Sequence, residues 1–386
     1  MIQFGIDIVL QQNPSWKKQR IALVTNYAAT TYTKIPSRKS LVASSFNITK
    51  LFSPEHGLDI KGADGAKIED GKDSLTHLPV ISLYNEKLAP TEEDLKDIDI
   101  VLFDIPDIGC RFYTYLWTMT YLLQACANYK KKIIILDRPN PISGNLSLAE
   151  GNLLDEKNCS SFIGRWAIPL RHSCTLGELA SYFNREKNMN ASLEIITCKN
   201  WNRNMFQPDW EIDFIATSPA IKNIQSALLY PGLGLLEATN ISEGRGTQEP
   251  FILVGAPWLD SNLLMNNMDS SAVTISAATF IPTDNKYAGE ICNGIKYHVA
   301  NLNNFHSLTN GLLLIKLIKD NYPSNFKWKT YPTNVNPSGK NHLDKLLGVY
   351  KSEDVFELPI AQFNQQLKEL TNTENWQKKV SPYLLY

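Results

Sequence analysis

Five short apolar runs, at residues 21–24, 48–52, 80–84, 98–103 and 133–136, constrain this chain more than any other feature. Each is dense in branched or aromatic residues and lacks the polar alternation of a strand with one wet face, so each has to be covered on both sides. Helical patterns lie between them. Thr91 and Asp94 open one helix as a capping-box variant, and the stretch 113–129 is apolar around most of its surface. Such alternation predicts right-handed crossovers and an α/β, Rossmann-like, doubly wound and mostly parallel sheet. Residues 2–9 read as a further strand-like run.

Beyond Asp137 the pattern loosens into loops and one clear helix, where Thr175 and Glu178 form a capping box ahead of residues 176–187. Turn residues at Ser218-Pro219 and Tyr230-Pro231-Gly232 put a boundary near residue 228. The expected organisation is a Rossmann-like catalytic domain at 1–228 and a smaller α+β domain at 229–386 that closes a cleft. In the second part a short strand is expected at 278–282 and helices at 286–300 and 308–321. A chain of 386 residues with 43% hydrophobic content can bury two cores.

The 38 basic and 39 acidic residues leave a formal charge of −1, which provides no field for nucleic acid or an anionic membrane. No window approaches the ~18 consecutive apolar residues of a membrane span. Cys110, Cys126, Cys159, Cys174, Cys198 and Cys292 show no paired spacing and read as buried free thiols.

Polar residues cluster where the apolar runs end. Asn26 follows the first, Glu55 and His56 the second, Asp104 and Asp107 the fourth, and Asp137 with Arg138 and Asn140 the fifth. In a parallel sheet all of these meet at one edge, the edge where such folds bind ligands. A carboxylate partly withdrawn from water there is suited to general acid work near neutral pH, although a lone strand-end Asp or Glu also serves as a turn former or helix cap. The segment 104–115 packs Asp104, Asp107, Arg111, Tyr113 and Tyr115 together, a mixture suited to a sugar's hydroxyls and ring faces. The bland alternative is that Asp107 caps the next helix and Arg111 pairs with it. Asn240, Glu243 and Arg245, spaced by Gly244 and Gly246, suit either an anionic substituent or a solvated surface turn. Arg171 and His172 add positive charge to the same anion or cap a helix.

Other chemistries lack their signatures. There is no glycine-rich phosphate loop, no GxSxG elbow and no HExxH pair, so no cofactor and no metal are expected. His56, Asp104 and Asp107 would be the ligands if a metal were bound.

Five motifs in order, SPEHGL at 53–58, DIPDIGCRFYTY at 104–115, LDRPNP at 136–141, PLRHSCTLGELA at 169–180 and the run 230–258, resemble the bacterial exo-β-N-acetylmuramidase family of glycoside hydrolases, formerly a family of unknown function. The resemblance implies release of N-acetylmuramic acid from the non-reducing end of peptidoglycan fragments in cell-wall turnover, with a peptidoglycan-derived saccharide or muropeptide as partner. It also implies that Glu55, in the family's PEHG motif, is the catalytic acid. Asp104, Asp107 or Glu243 would then orient the substrate's acetamido group, while Arg111, Arg171 or Arg245 would hold its lactyl carboxylate and Tyr113 and Tyr115 its ring. Where relatives read DIQD, RHGMT and SPNxP, this chain has Asp104-Ile105-Pro106-Asp107, Arg171-His172-Ser173-Cys174-Thr175 and Ser218-Pro219-Ala220-Ile221-Lys222. The last change favours, as a rival reading, a muropeptide-binding protein without turnover. Family members often work outside the cytoplasm, which implies a periplasmic or extracellular site for a chain that has lost a leader, and a cytoplasmic one for the chain as written.

Overall fold

The computed structural model describes every residue except Asp64 and Asn85. Its first lobe runs α1 (Gly5–Gln12), β1 (Ile21–Thr25), α2 (Ser37–Ala43), β2 (Ile48–Ser53), β3 (Gly71–Lys72), β4 (Pro79–Ser82), α3 (Glu92–Leu95), β5 (Ile100–Asp104), α4 (Tyr115–Asn128), β6 (Lys132–Leu136), α5 (Leu176–Glu186) and β7 (Ser192–Ile196). The sheet order is β3-β4-β2-β1-β5-β6-β7, parallel throughout except for β3. β1 and β5 are buried along their whole length, which is why these runs carry no alternation. Chain order reverses direction between β1 and β5, so a crevice opens above their carboxyl ends.

The second lobe holds α6 (Ile224–Leu233), β8 (Leu253–Ala256), α7 (Ser261–Asn267), β9 (Val273–Phe280), β10 (Cys292–Val299) and α8 (Ser307–Asn321), followed by α9 (His342–Leu347), α10 (Ser352–Val355), α11 (Ile360–Thr371) and α12 (Trp376–Val380). Its sheet is antiparallel, β8-β10-β9. Helices α6 and α8 cross at backbone contact, because a Cβ on Gly232 would lie 1.9 Å from the Ser307 carbonyl oxygen. Residue 228 falls inside α6.

Three expectations need correction. The run 2–9 is not a strand: it forms α1, which begins with the Asp7 carboxylate accepting the Phe4 N–H at 2.9 Å and buries Ile6 and Val9 three residues apart. Only Gln3 bridges another segment, at Lys199. The stretch 286–300 is not a helix. It contains β10, in which buried Ile295, Tyr297 and Val299 alternate with exposed Lys296 and His298, a two-residue period. The strand expected at 278–282 is the end of the longer β9, and β7 emerges from a stretch that reads as loop. Being an edge strand, β7 is only partly covered and lacks a dense apolar run.

All six cysteines are free and buried. The chain's last segment returns to the first lobe, where the Trp376 indole N–H donates to the His172 carbonyl at 2.9 Å and the Tyr386 hydroxyl donates to Asp137 Oδ2 at 2.8 Å. Burial pushes the Asp137 pKa up to about 6, against donors from Thr175, Gly177 and Tyr386. A buried acid raised in this way stabilises the fold most when protonated, and that stability is lost as pH climbs from about 4 through about 6. Tyr386→Phe removes one donor to the charged form and is expected to deepen the loss. Urea unfolding is expected to show the variant about 2 kcal/mol less stable at pH 7.5 and closer to the parent at pH 4.5; an equal deficit at both values would count against the assignment.

Candidate active site

Glu55 follows Pro54 directly past the end of β2 and is only 5% exposed. The chain turns back immediately: His56 and Gly57 both have positive φ, at 66° and 76°, and the Gly57 N–H bonds the Pro54 carbonyl. A histidine in the left-handed region is a strained position, and here the Gly62 carbonyl, 2.9 Å from its Nδ1, holds it. Two donors set the Glu55 carboxyl. The Thr114 hydroxyl, at the start of α4, lies 2.6 Å from Oε2, and the Gly65 N–H lies 3.1 Å from Oε1.

Glu55 faces a hollow between the lobes, ≈ 600 Å³ out to its open mouth. Tyr84, Tyr113 and Thr114 come from the first lobe; Glu237, Arg245, Tyr331 and His342 come from the second. On the second-lobe wall the charges alternate. Arg245 Nη2 lies 2.7 Å from Glu237 Oε1 and its Nε lies 3.3 Å from Glu243 Oε1, while Lys286 Nζ lies 2.8 Å from Glu243 Oε2. His342 sits 3.5 Å from Glu237 Oε2 with its ring stacked on Tyr331 at 4.6 Å. The hollow therefore offers a buried carboxyl on one side and a carboxylate-backed guanidinium on the other, with aromatic rings between. That combination can protonate a leaving oxygen and receive an anion on the same bound molecule.

The sequence-derived candidates divide sharply. Glu55, His56, Tyr113 and Arg245 line the hollow. Glu243 lies behind it, shared between Arg245 and Lys286. Asp104 is taken by Arg138, whose Nε and Nη2 reach its two oxygens at 2.6 and 3.0 Å and whose Nη2 also donates to the Thr30 carbonyl. Asp107 accepts the Gly109 N–H at 2.8 Å and faces His172 Nε2 at 3.3 Å, so it pairs with His172 and not with Arg111. With Asp104 and Asp107 so engaged, the alternative of a His56, Asp104 and Asp107 metal site has no support in the geometry. Among the described residues no cluster of three or more His, Cys, Asp or Glu side chains is placed to hold an ion.

Arg111 and Arg171 are not positioned to meet a substrate carboxylate. Arg111 is fully buried and donates to the carbonyls of Asn152, Ile168 and Leu346 at 2.9–3.0 Å. Burial lowers its pKa to about 10. Arg171 donates to the Ile142 and Phe305 carbonyls and lies 3.9 Å from Glu150, whose pKa burial raises. Asn26 accepts the Ala28 N–H, Asn140 spans the Ile142 N–H and the Cys174 carbonyl, and Asn240 bridges Asn325 and Lys327; all three hold turns. Tyr115 is fully buried, its hydroxyl donating to the Thr217 carbonyl, and does not line the hollow.

Glu237, Tyr331 and His342 were not anticipated. Glu237 stands inside the 230–258 motif and was legible as a carboxylate there, whereas nothing around His342 marks it in the sequence.

The N-terminal model of the exo-β-N-acetylmuramidase NamZ family matches residues 21–225, and the C-terminal model matches residues 228–386. The chain belongs to the NamZ family. It is 41% identical over 336 residues to the peptidoglycan β-N-acetylmuramidase NamZ of Bacillus subtilis (strain 168), a match covering 85% of this chain and 80% of that protein. Crystal structures of two DUF1343 family proteins from Bacteroides fragilis superpose with TM-scores of 0.86 and 0.72, each at 28% identity and covering 100% of this chain and 99% of theirs. Against these NamZ-like relatives, Arg111 tests whether the sequence-derived role or the observed one is right. Arg111→Lys keeps the charge but cannot span three carbonyls, so urea unfolding is expected to show a loss of about 2–4 kcal/mol. Unchanged stability with a raised KM would restore Arg111 to the substrate.

Proposed function

We propose that this chain is an exo-acting glycosidase that releases N-acetylmuramic acid from the non-reducing end of peptidoglycan fragments. The observation that carries the proposal is Glu55: a carboxyl withdrawn from water, held by two donors, in one hollow with the Arg245–Glu237 pair of the opposite lobe. Family membership and the likeness to a peptidoglycan β-N-acetylmuramidase support it.

N-acetylmuramic acid carries a 2-acetamido group and a 3-O-lactyl carboxylate. In the proposed chemistry the acetamido oxygen attacks the anomeric carbon while Glu55 gives its proton to the departing glycosidic oxygen; water then opens the cyclic intermediate with Glu55 acting as base, and configuration is retained. Arg245 is the cation on the wall of the hollow that suits the lactyl carboxylate, and Glu237 orients it from behind. Asp104 and Glu243 are already bound by cations, Asp104 by Arg138 and Glu243 by Arg245 and Lys286, so neither is the acceptor for the acetamido N–H.

Glu55→Gln keeps the shape of the side chain and removes its proton. With a chromogenic N-acetylmuramide, kcat is expected to fall by at least about a hundredfold while the sugar still raises the melting temperature. Full turnover in this variant would sink the acid assignment, and a wild-type protein that binds the sugar without releasing chromophore would sink the glycosidase reading.

A further inference from the structure

A second cavity lies beside the hollow that holds Glu55. It sits above the carboxyl ends of β1, β5 and β6, where the chain order reverses, and is lined by residues that follow those strands: Ala28, Pro106, Asp107 and Pro139 among them. Trp210, Ile212 and Phe214 close its other side. One wall is common to both spaces: Thr217 lines the cavity, its neighbour Ser218 lines the hollow, and Tyr113 of the hollow donates its hydroxyl to Thr217 Oγ1 at 2.7 Å.

The lining is mostly apolar, with two exceptions whose hydrogen-bonding capacity is unused. Asp107 and Trp210 are 7% and 9% exposed, and Asp107 Oδ1 and Trp210 Nε1 have no hydrogen-bond partner among the described residues. The other long polar side chains of the lining are occupied: Arg138 by Asp104, Gln207 by the Ile212 carbonyl and Asp213 by Lys34. Asp107 is held so that one oxygen is used and the other spare. Its Oδ2 accepts the Gly109 N–H and faces His172 Nε2, while His172 Nδ1 accepts the Cys174 N–H, a pattern that puts the imidazole proton on Nε2. Burying an acceptor and a donor without partners is costly, so a pair of them in one apolar cavity calls for a ligand that supplies the reverse pair.

We infer that this cavity is an acetamido subsite: it takes the N-acetyl group of an amino sugar, with the amide N–H on Asp107 Oδ1, the carbonyl oxygen on Trp210 Nε1 and the methyl against the apolar wall. An amide offers one donor and one acceptor on a flat frame, and its methyl group wants the prolines and Ile212. The size agrees. The interior measures ≈ 50 Å³, and at ~10–15 Å³ per water-sized group it holds roughly four heavy atoms, the number in an acetamido group. The choice of ligand rests on the glycosidase reading; the orphaned acceptor and donor do not. Asp107 is a positioning residue in this scheme, and the same chemistry serves either the terminal muramic sugar or the glucosamine that follows it.

Saturation-transfer NMR and calorimetry on the whole protein, with N-acetylmuramic acid, N-acetylglucosamine and glucosamine as separate probes, test the inference. The acetyl methyl is expected to take up more saturation than the ring protons, and glucosamine is expected not to bind. Binding of N-acetylmuramic acid alone assigns the cavity to the terminal sugar; binding of N-acetylglucosamine assigns it to the next one. Trp210→Phe, which keeps the ring and its edge contact with Phe4, is expected to weaken the acetylated sugar about three- to tenfold. Asp107→Asn, the second variant, is expected to do the same with its melting temperature as a folding control. Glucosamine binding as tightly as its acetylated form, or both variants folded and unimpaired, would overturn the subsite. Acetylated sugars bound in this way by a protein that releases no chromophore would overturn the glycosidase reading and leave the subsite standing.

Discussion

The guanidinium of Arg111 is the interaction on which the cleft depends. It is buried without a carboxylate in ion-pair reach among the described residues, and instead gives its protons to two carbonyls of the first lobe and to the Leu346 carbonyl of the second. Withdrawing that charge from water is expensive, and its lowered pKa of about 10 is the mark of that cost. What offsets it is a set of charge-assisted bonds that also join the lobes. The backbone at Arg111 is tied as well, its N–H to the Leu170 carbonyl and its own carbonyl to the Trp117 indole. The loop from β5 to α4 is therefore rigid, and that loop carries Asp107, Tyr113 and Thr114, the last of which holds Glu55.

The sheet edge divides its polar residues between architecture and chemistry. Asp104 clamps Arg138, which reaches back to the loop after β1; Asp137 ties α5 and the chain's end to β6. These buried groups hold neighbouring strand ends in register, so that Glu55 on β2 and Asp107 after β5 can keep carboxyl oxygens directed at enclosed spaces. The second lobe completes the site with the Glu237–Arg245 pair, whose opposite charges keep that wall close to neutral while leaving a guanidinium on its surface.

Much of this was legible in the chain and some of it could not be. The continuous runs gave the parallel strands correctly because burial on both faces leaves a local trace in every residue. The capping boxes at Thr91 and Thr175 located α3 and α5 because both partners of a cap lie within four residues. Residues 2–9 and 286–300 misled, since a short apolar run fits either period and the neighbour that decides is far away in the chain. The arginines misled for a related reason. Arg111, Arg171 and Arg245 stand in similarly rich motifs, yet only Arg245 meets the hollow, because carbonyls brought in from distant segments consume the donors of the other two.

What the sequence alone determined is the set of chemical types and their assignment to strand ends: a doubly wound sheet, and an acid after Pro54 at its ligand-binding edge. These follow from local patterns of burial and turn chemistry, which need no knowledge of the rest of the molecule. Tertiary structure alone decided which charges are spent on carbonyls and which remain to act, that Glu237 and His342 come within reach of the same hollow as Glu55, and that Asp107 keeps an oxygen without a partner beside Trp210. Those outcomes depend on contacts between residues more than a hundred positions apart, and a hydrogen bond's availability is a property of the pair, not of either residue.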